Sequence, residues 1–346
     1  VESNYGIDSD RISVLENNVA VVHGTAEHYN SLLAYLSTHN LGVEANYQYV
    51  STQMDVSEFM NHYIFNTFID NVDWPQNNIK YWRENNTGSK WRWMVYDTDF
   101  GFKLYASSDL QNLEFNMNST HWSRQIIMGL MQNQNAENEF IQRFAAHLNT
   151  TFEHNRVIGI LDSIAAIIDG KMTRHIKKWG MPAGYEVWKA NLSAMRQFAR
   201  DRVPDMTKQI IDYFDITGTY NLTTSVSLPG SGRIRLCEVD ITDATKYTYF
   251  DKVPVRLEAI PDEGFKFTGW TGGINSTANP VTGTFSSDVT IRANFGEADI
   301  VHHLYINEIA AVKTGITDEQ NEAEDWIEIY NGNDFAVNVG GLYVSD

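Results

Sequence analysis

Cysteine is nearly missing from this sequence: Cys237 stands alone among 346 residues, so no disulfide framework holds the chain together. Positive charge is scarce as well, with 26 Lys and Arg against 44 Asp and Glu and a net charge of −18. No basic stripe is left to meet nucleic-acid phosphates, which excludes that partner. An acidic chain that binds a phosphorylated small molecule needs a divalent metal between its carboxylates and the phosphates. Long hydrophobic runs are also lacking. No stretch reaches the roughly 18 apolar residues of a membrane-spanning helix. The greasiest run, Val157 to Ile168, is interrupted by Asp162, and its helical spacing predicts a core helix. No basic segment followed by an apolar one marks a signal peptide within these residues.

What is present supports a folded protein. Hydrophobic residues make up 42% of the chain, which excludes wholesale disorder. At roughly 100–200 residues per domain, the length implies two or three domains. The chain opens on Val1 rather than methionine and stops at Asp346 just after a strand-like segment, as a piece of a longer polypeptide would.

The pattern changes near residue 216. Before it, apolar residues recur at helical spacing. Asp55 and Glu58 form a capping box ahead of Val56, Phe59, Met60, Tyr63, Ile64 and Phe68. Tyr29, Leu32, Leu33 and Leu36 mark a shorter helix, and Ser123 can cap one carrying Ile126, Ile127, Leu130 and Met131. The run from Phe140 to Phe152 continues the pattern. Trp188–Ala199 and Met206–Phe214 read as two helices parted near Pro204. One strand-like segment, Trp91 to Tyr96, puts Trp91, Trp93 and Val95 on one face.

After residue 216 the signals turn to strands: Leu222–Leu228, Ile234–Val239, Pro254–Ala259 and Val289–Phe295, divided by Gly- and Asn-rich turns. A further segment from Asp299 holds Leu304–Ile309 and Trp326–Tyr330. Residues 1–216 carry 18 Lys and Arg and 25 Asp and Glu, net −7; residues 217–346 carry 8 and 19, net −11. The fold class that follows is multidomain α+β: a mainly helical lobe over 1–216, then small all-β modules over 217–298 and 299–346.

The densest unusual stretch runs from Asn71-Val72-Asp73-Trp74-Pro75-Gln76-Asn77-Asn78-Ile79-Lys80-Tyr81-Trp82 to Trp91-Arg92-Trp93-Met94-Val95-Tyr96-Asp97-Thr98-Asp99-Phe100-Gly101. An acid after a helix precedes an Asn, and two acids at the end of a strand follow. Phosphoryl transfer needs such parts: a carboxylate to orient the nucleophile's hydroxyl, then an Asn and a carboxylate to hold Mg²⁺ on the phosphates. The same residues also fit a turn after a helix and a pair of acids closing a hairpin.

These two blocks resemble the spore-coat-protein-H (CotH) kinase family, which is atypical and kinase-like. Trp122-Ser123, Phe140 through Thr150, and His175 with Trp179 are similar to its later helices, so the resemblance covers roughly residues 1–216. It implies that Asp73 is the catalytic acid, Asn78 the metal-side Asn and Asp97 the metal-binding acid, with Asp99 beside it. A literal Asp-Phe-Gly reading selects Asp99 instead. The implied partners are ATP, Mg²⁺ and a protein phosphoacceptor or surface polymer. Lys80 and Arg83 are candidates to approach the phosphates, although Lys80 also reads as a residue pointing outward from a short strand. No lysine precedes Lys80, and no Gly-rich loop follows a strand in the mostly helical first 70 residues. Most of a nucleotide-binding lobe is therefore expected to be missing, and little activity is expected of the fragment.

Other motifs carry less. Gly230-Ser231-Gly232 is followed by strand rather than helix, which rejects a dinucleotide site. His302-His303 reads as solvated linker, His175 with Trp179 as helix packing, and Cys237 as a buried small hydrophobe in a strand. Nothing matches a His-Glu-x-x-His zinc site, a Gly-x-Ser-x-Gly elbow or an EF-hand loop.

Residues Pro261 to Trp270 and Ile291 to Phe295 look like a divergent internalin-type B-repeat of bacterial surface proteins, with a Trp in its core. Ile306–Ile309, Asp325–Asn331 and Leu342–Asp346 resemble the first strands of a lamin-tail sandwich, too short to close it. Together these resemblances imply an extracytoplasmic, multidomain bacterial protein. The alternative is a non-catalytic surface scaffold, for adhesion or glycan contact, built on a degenerate kinase fold.

Overall fold

The computed structural model describes residues 5–104, 111–118, 120–241, 246–298, 303–310, 325–333, 336–337 and 339–340. The chain opens with a hairpin, β1 (Ile12–Glu16) and β2 (Ala20–His23). Helices α1 (Glu27–Thr38), α2 (Glu44–Gln53) and α3 (Val56–Phe68) come next, then β3 (Lys80–Glu84) and β4 (Arg92–Met94). The four strands form one antiparallel sheet in the order β2-β1-β3-β4. The start is mostly helical, as expected, but it opens with a hairpin that the pattern did not announce. β2 escapes a pattern search because Val21 and Val22 are both exposed; pairing with β1, not burial, makes it a strand. Val95 also departs from its expected face. β4 ends at Met94, leaving Trp91 and Trp93 buried and Val95 exposed.

The rest of the first lobe is helical: α4 (Asn112–Asn118), α5 (Arg124–Leu130), α6 (Gln134–Asn149), α7 (His154–Trp179) and α8 (Tyr185–Tyr213). The Asp55 side chain caps α3 by accepting from the Glu58 amide at 3.1 Å, while Phe59, Met60, Tyr63, Ile64 and Phe68 face the core. Ser123 occupies the N-cap position of α5 but makes no capping bond. Pro204 does not divide α8, contrary to expectation. Arg202, Met206 and Ile210 around it are buried, and these anchors outweigh one missing backbone donor. The run from Val157 to Ile168 is helical but is not core: Ile160, Ile164, Ile167 and Ile168 are exposed. His175 and Trp179 are exposed as well, so they do not pack against a neighbouring helix. Among the described residues no helix is long and apolar enough to cross a membrane.

The β region contains β5 (Thr219–Val226), β6 (Gly232–Leu236), β7 (Val239–Asp240), β8 (Lys246–Phe250), β9 (Val255–Pro261), β10 (Phe265–Gly272), β11 (Val281–Gly283) and β12 (Val289–Glu297). They form two four-stranded sheets, β10-β12-β5-β8 and β11-β9-β6-β7, with β5 and β12 parallel. Trp270 is buried, its indole donating to the Ala278 carbonyl at 3.0 Å. Cys237 is buried as expected, yet it sits in the left-handed turn after β6 (φ 45) rather than in a strand. Beyond these sheets, β13 (Leu304–Ala310) and β14 (Trp326–Asn331) pair as an antiparallel hairpin. His302 and the segment 342–346 lie outside the described residues.

The helical lobe and the first β unit share one core, to which α6 contributes Phe140 and Phe144, β8 contributes Tyr249 and Phe250, and the loop after it contributes Val253. Helix α6 also covers the open edge of β8. The Gln142 amide donates to the Phe250 and Val253 carbonyls at 2.9 and 2.7 Å and accepts from the Phe250 N–H at 3.2 Å. One helical face further along, Asn149 pairs with both backbone groups of Thr248, at 2.7 and 3.0 Å. Side-chain amides thus stand in for a missing neighbour strand.

Candidate functional site

The loop that follows α3 is fixed before it reaches Asp73. A helix end leaves carbonyls without partners, and here buried Arg202 supplies them: its guanidinium donates to Phe68 O at 2.7 Å and Thr67 O at 2.6 Å. The same group lies 3.6 Å from the buried carboxylate of Asp70. Burial pushes the Asp70 carboxyl up, and Arg202 opposes the rise. Asn71 is buried, donates to Asn66 Oδ1 at 3.1 Å, and accepts from the Asp73 amide at 3.3 Å. Trp74 anchors the next turn, with its ring edge-on to Tyr63 at 4.7 Å.

Asp73, held in this way, receives two amides on one oxygen. Asn78 Nδ2 lies 2.7 Å and Asn77 Nδ2 3.2 Å from Asp73 Oδ2. Asn78 adopts φ 57, a left-handed geometry that Asn tolerates better than most residues, and the turn aims its amide back at Asp73. The same nitrogen is 3.5 Å from the carbonyl oxygen of Asp97.

Asp97 follows β4 and is also left-handed, with φ 52. The segment after it is tied to the end of α3. Gly101 donates to Thr98 O at 3.0 Å, and Phe102 donates to Ile69 O at 2.6 Å. A Cβ on Gly101 would lie 3.1 Å from the Ile69 side chain and 3.2 Å from its carbonyl, so a larger residue would push the two segments apart. The Asp97 carboxyl is raised, first by a hydrogen bond with Asp99, then by slight desolvation and the charges of Asp99 and Asp73; Lys80 opposes the rise. Asp97 and Asp99 are both exposed.

The structure therefore brings Asp73, Asn78, Asp97, Asp99 and Lys80 to one place. Lys80 does not simply point away. Its Nζ lies 3.7 Å from Glu16 and 4.3 Å from the centre of the Tyr96 ring. Arg83 is engaged elsewhere, donating to the Ser89 and Asn86 carbonyls at 2.9 and 2.7 Å. Three residues beside the site went unnoticed as candidates. Tyr96 OH donates to Glu16 at 2.8 Å, and its phenol is raised by burial, that bond and the neighbouring carboxylates. Asn17 accepts from the Ile79 amide at 3.2 Å and donates to Asn77 at 3.0 Å. Only the β1–β3 pairing joins Glu16 and Asn17 to the motif, and nothing local in the sequence announces that pairing.

Among the described residues, no group of three or more His, Cys, Asp or Glu side chains makes a ready cation cage. The donors that gather are hard oxygens, two of them neighbouring exposed carboxylates whose mutual repulsion a cation would relieve. Mg²⁺ commonly binds through one or two carboxylates and completes its shell with waters and phosphate oxygens. The donor set fits an ion held jointly with a phosphate ligand.

The family described as CotH kinase protein matches residues 6–204, and the divergent InlB B-repeat domain family matches residues 237–299. Neither curated proteins nor solved structures give a significant match.

Proposed function

The chain belongs to the CotH kinase family, and from that premise we propose that it moves the terminal phosphoryl group of ATP to a protein hydroxyl. One observation carries the reading: the Asn78 amide spans Asp73 and the Asp97 backbone, at 2.7 and 3.5 Å, so the acid for the acceptor and the acid for the metal share one anchor.

Asp73 orients the acceptor hydroxyl. Its Oδ2 is occupied by the two Asn amides, leaving Oδ1 to take the proton. As the acceptor oxygen bonds to the terminal phosphorus, the bridging P–O bond breaks and ADP departs with the electron pair. Asp97, Asp99 and Asn78 would hold Mg²⁺, which supplies charge neutralisation on the phosphates. Lys80, braced by Glu16 and Tyr96, offers the cation for a phosphate oxygen. No lysine precedes it, so turnover by this chain alone is expected to be slow. Serine or threonine is the acceptor in this reading, and the B-repeat beside the lobe supports an extracytoplasmic setting.

The test is transfer of labelled phosphate from ATP, with Mg²⁺ or with a chelator, by wild type, Asp73→Ala and Asp97→Ala. Slow, Mg²⁺-dependent transfer lost in both variants is expected. Transfer unchanged by either substitution overturns the assignment. A folded chain with no transfer and no nucleotide binding leaves the scaffold reading.

A further inference from the structure

We propose that the outward face of α7, with the turn that joins it to α8, docks on an anionic lipid bilayer. Helix α7 is 26 residues long, yet only Ala165 and Met172 are buried, and its main packing partner is α8. The inward face is complete. Leu161, Ala165, Met172 and Ile176 meet Tyr185, Trp188 and Leu192. Both acids of α7 are spent on α8: Asp162 pairs with Arg196 at 2.6 Å and Asp169 with Lys189 at 3.3 Å.

The outward face has a different character. Ile160, Ile164, Ile167, Lys171, Arg174 and Lys178 succeed one another at steps of four and three residues, which is one continuous stripe of a helix. The three isoleucines are 51%, 55% and 77% exposed; Trp179, the last residue of α7, is 63% exposed, and Met181 in the turn is 70% exposed. Residues 170–190 hold five Lys and Arg and a single Glu, in a chain of net charge −18. Among the described residues Lys171, Arg174, Lys177 and Lys178 form no ion pair, although Lys178 lies over the Trp179 ring at 4.5 Å. The acid nearest the basic end along the helix, Asp169, is already paired with Lys189, so these cations keep their charge for an outside partner.

The order of residues along the stripe selects the occupant. In a second copy packed antiparallel, isoleucines would face cations; packed parallel, cations would face cations. A bilayer accepts both halves. Isoleucine, Trp179 and Met181 enter the acyl boundary, and the long basic side chains reach up to lipid phosphates.

The test is flotation of the whole chain with vesicles of phosphatidylcholine alone and with phosphatidylglycerol added, at low and high salt. At least about tenfold more protein is expected on the anionic vesicles at low salt, with the difference shrinking at high salt. The exposed charge reversals Lys171→Glu, Arg174→Glu and Lys178→Glu together should abolish it. Ile167→Ser with Trp179→Ser should weaken it several-fold, with circular dichroism confirming the fold. Equal binding to neutral vesicles, indifference to charge reversal, or no vesicle binding while an acidic polypeptide is captured overturns the proposal.

Discussion

Asn78 Nδ2 sits 2.7 Å from Oδ2 of Asp73 and 3.5 Å from the Asp97 carbonyl oxygen, so one amide joins the loop that follows α3 to the segment that follows β4. Because Asn78 has φ 57, glycine can replace it without backbone strain and removes only the amide. Asn78→Gly should therefore keep its fold and bind Mg²⁺-ATP about tenfold more weakly, the usual loss for a hydrogen bond to a charged group. Titration calorimetry on both proteins checks this.

Asp97, Asp99 and Asp73 crowd like charge where no cation balances it fully. Asp97→Asn should leave thermal stability in chelator unchanged or slightly raised. It should also lose the upward shift in melting temperature that Mg²⁺-ATP gives the wild type. Melting curves in chelator and in Mg²⁺-ATP separate the two effects. A variant that keeps the full ligand shift contradicts the metal-side role.

Gln142 is fully buried between α6 and the β8 edge. Gln142→Ala leaves buried carbonyls and one N–H unpaired, and should cost about 1–3 kcal/mol. Because one core runs through both parts, urea should unfold residues 5–298 in a single transition. Two separated transitions would show that the β unit stands by itself.

His62 and His147 are held down to about 4, mainly by burial. The unfolded chain takes up these protons at the ordinary value of 6.5, so stability should fall as pH drops from about 6.5 to about 4. Glu58 runs the other way. Burial pushes it up to about 7 from 4.5, so its contribution falls as pH rises across that interval. His147→Gln should flatten the acid limb, and Glu58→Gln should stabilise the chain above pH 7. Denaturant midpoints from pH 4 to 8 test both.

The site was legible because its parts are local. Asp73 and Asn78 share one turn, and Asp97 and Asp99 flank one residue after a strand, so they stand out together in the sequence. Their spacing also fits ordinary turns, and the kinase roles come from the resemblance of the whole segment. Glu16 and Asn17 were not legible, since they reach the motif only through the β1–β3 register. The α3 cap and its apolar face were readable from Asp55 to Phe68 for the same local reason. Pro204 misled because a buried anchor, Arg202, outweighs the local break. The Val157–Ile168 run misled because its apolar residues occupy both faces of α7, and only α8 decides which of them are covered.

Calorimetric titration of Mg²⁺-ATP into the wild-type chain, Asp97→Asn and the α7 variant Lys178→Glu bears most directly on the site. Saturable, Mg²⁺-dependent binding should appear in the wild type, persist in Lys178→Glu and vanish in Asp97→Asn. Equal binding by wild type and Asp97→Asn, or binding that ignores Mg²⁺, contradicts the assignment of Asp97 and its neighbours to nucleotide and metal.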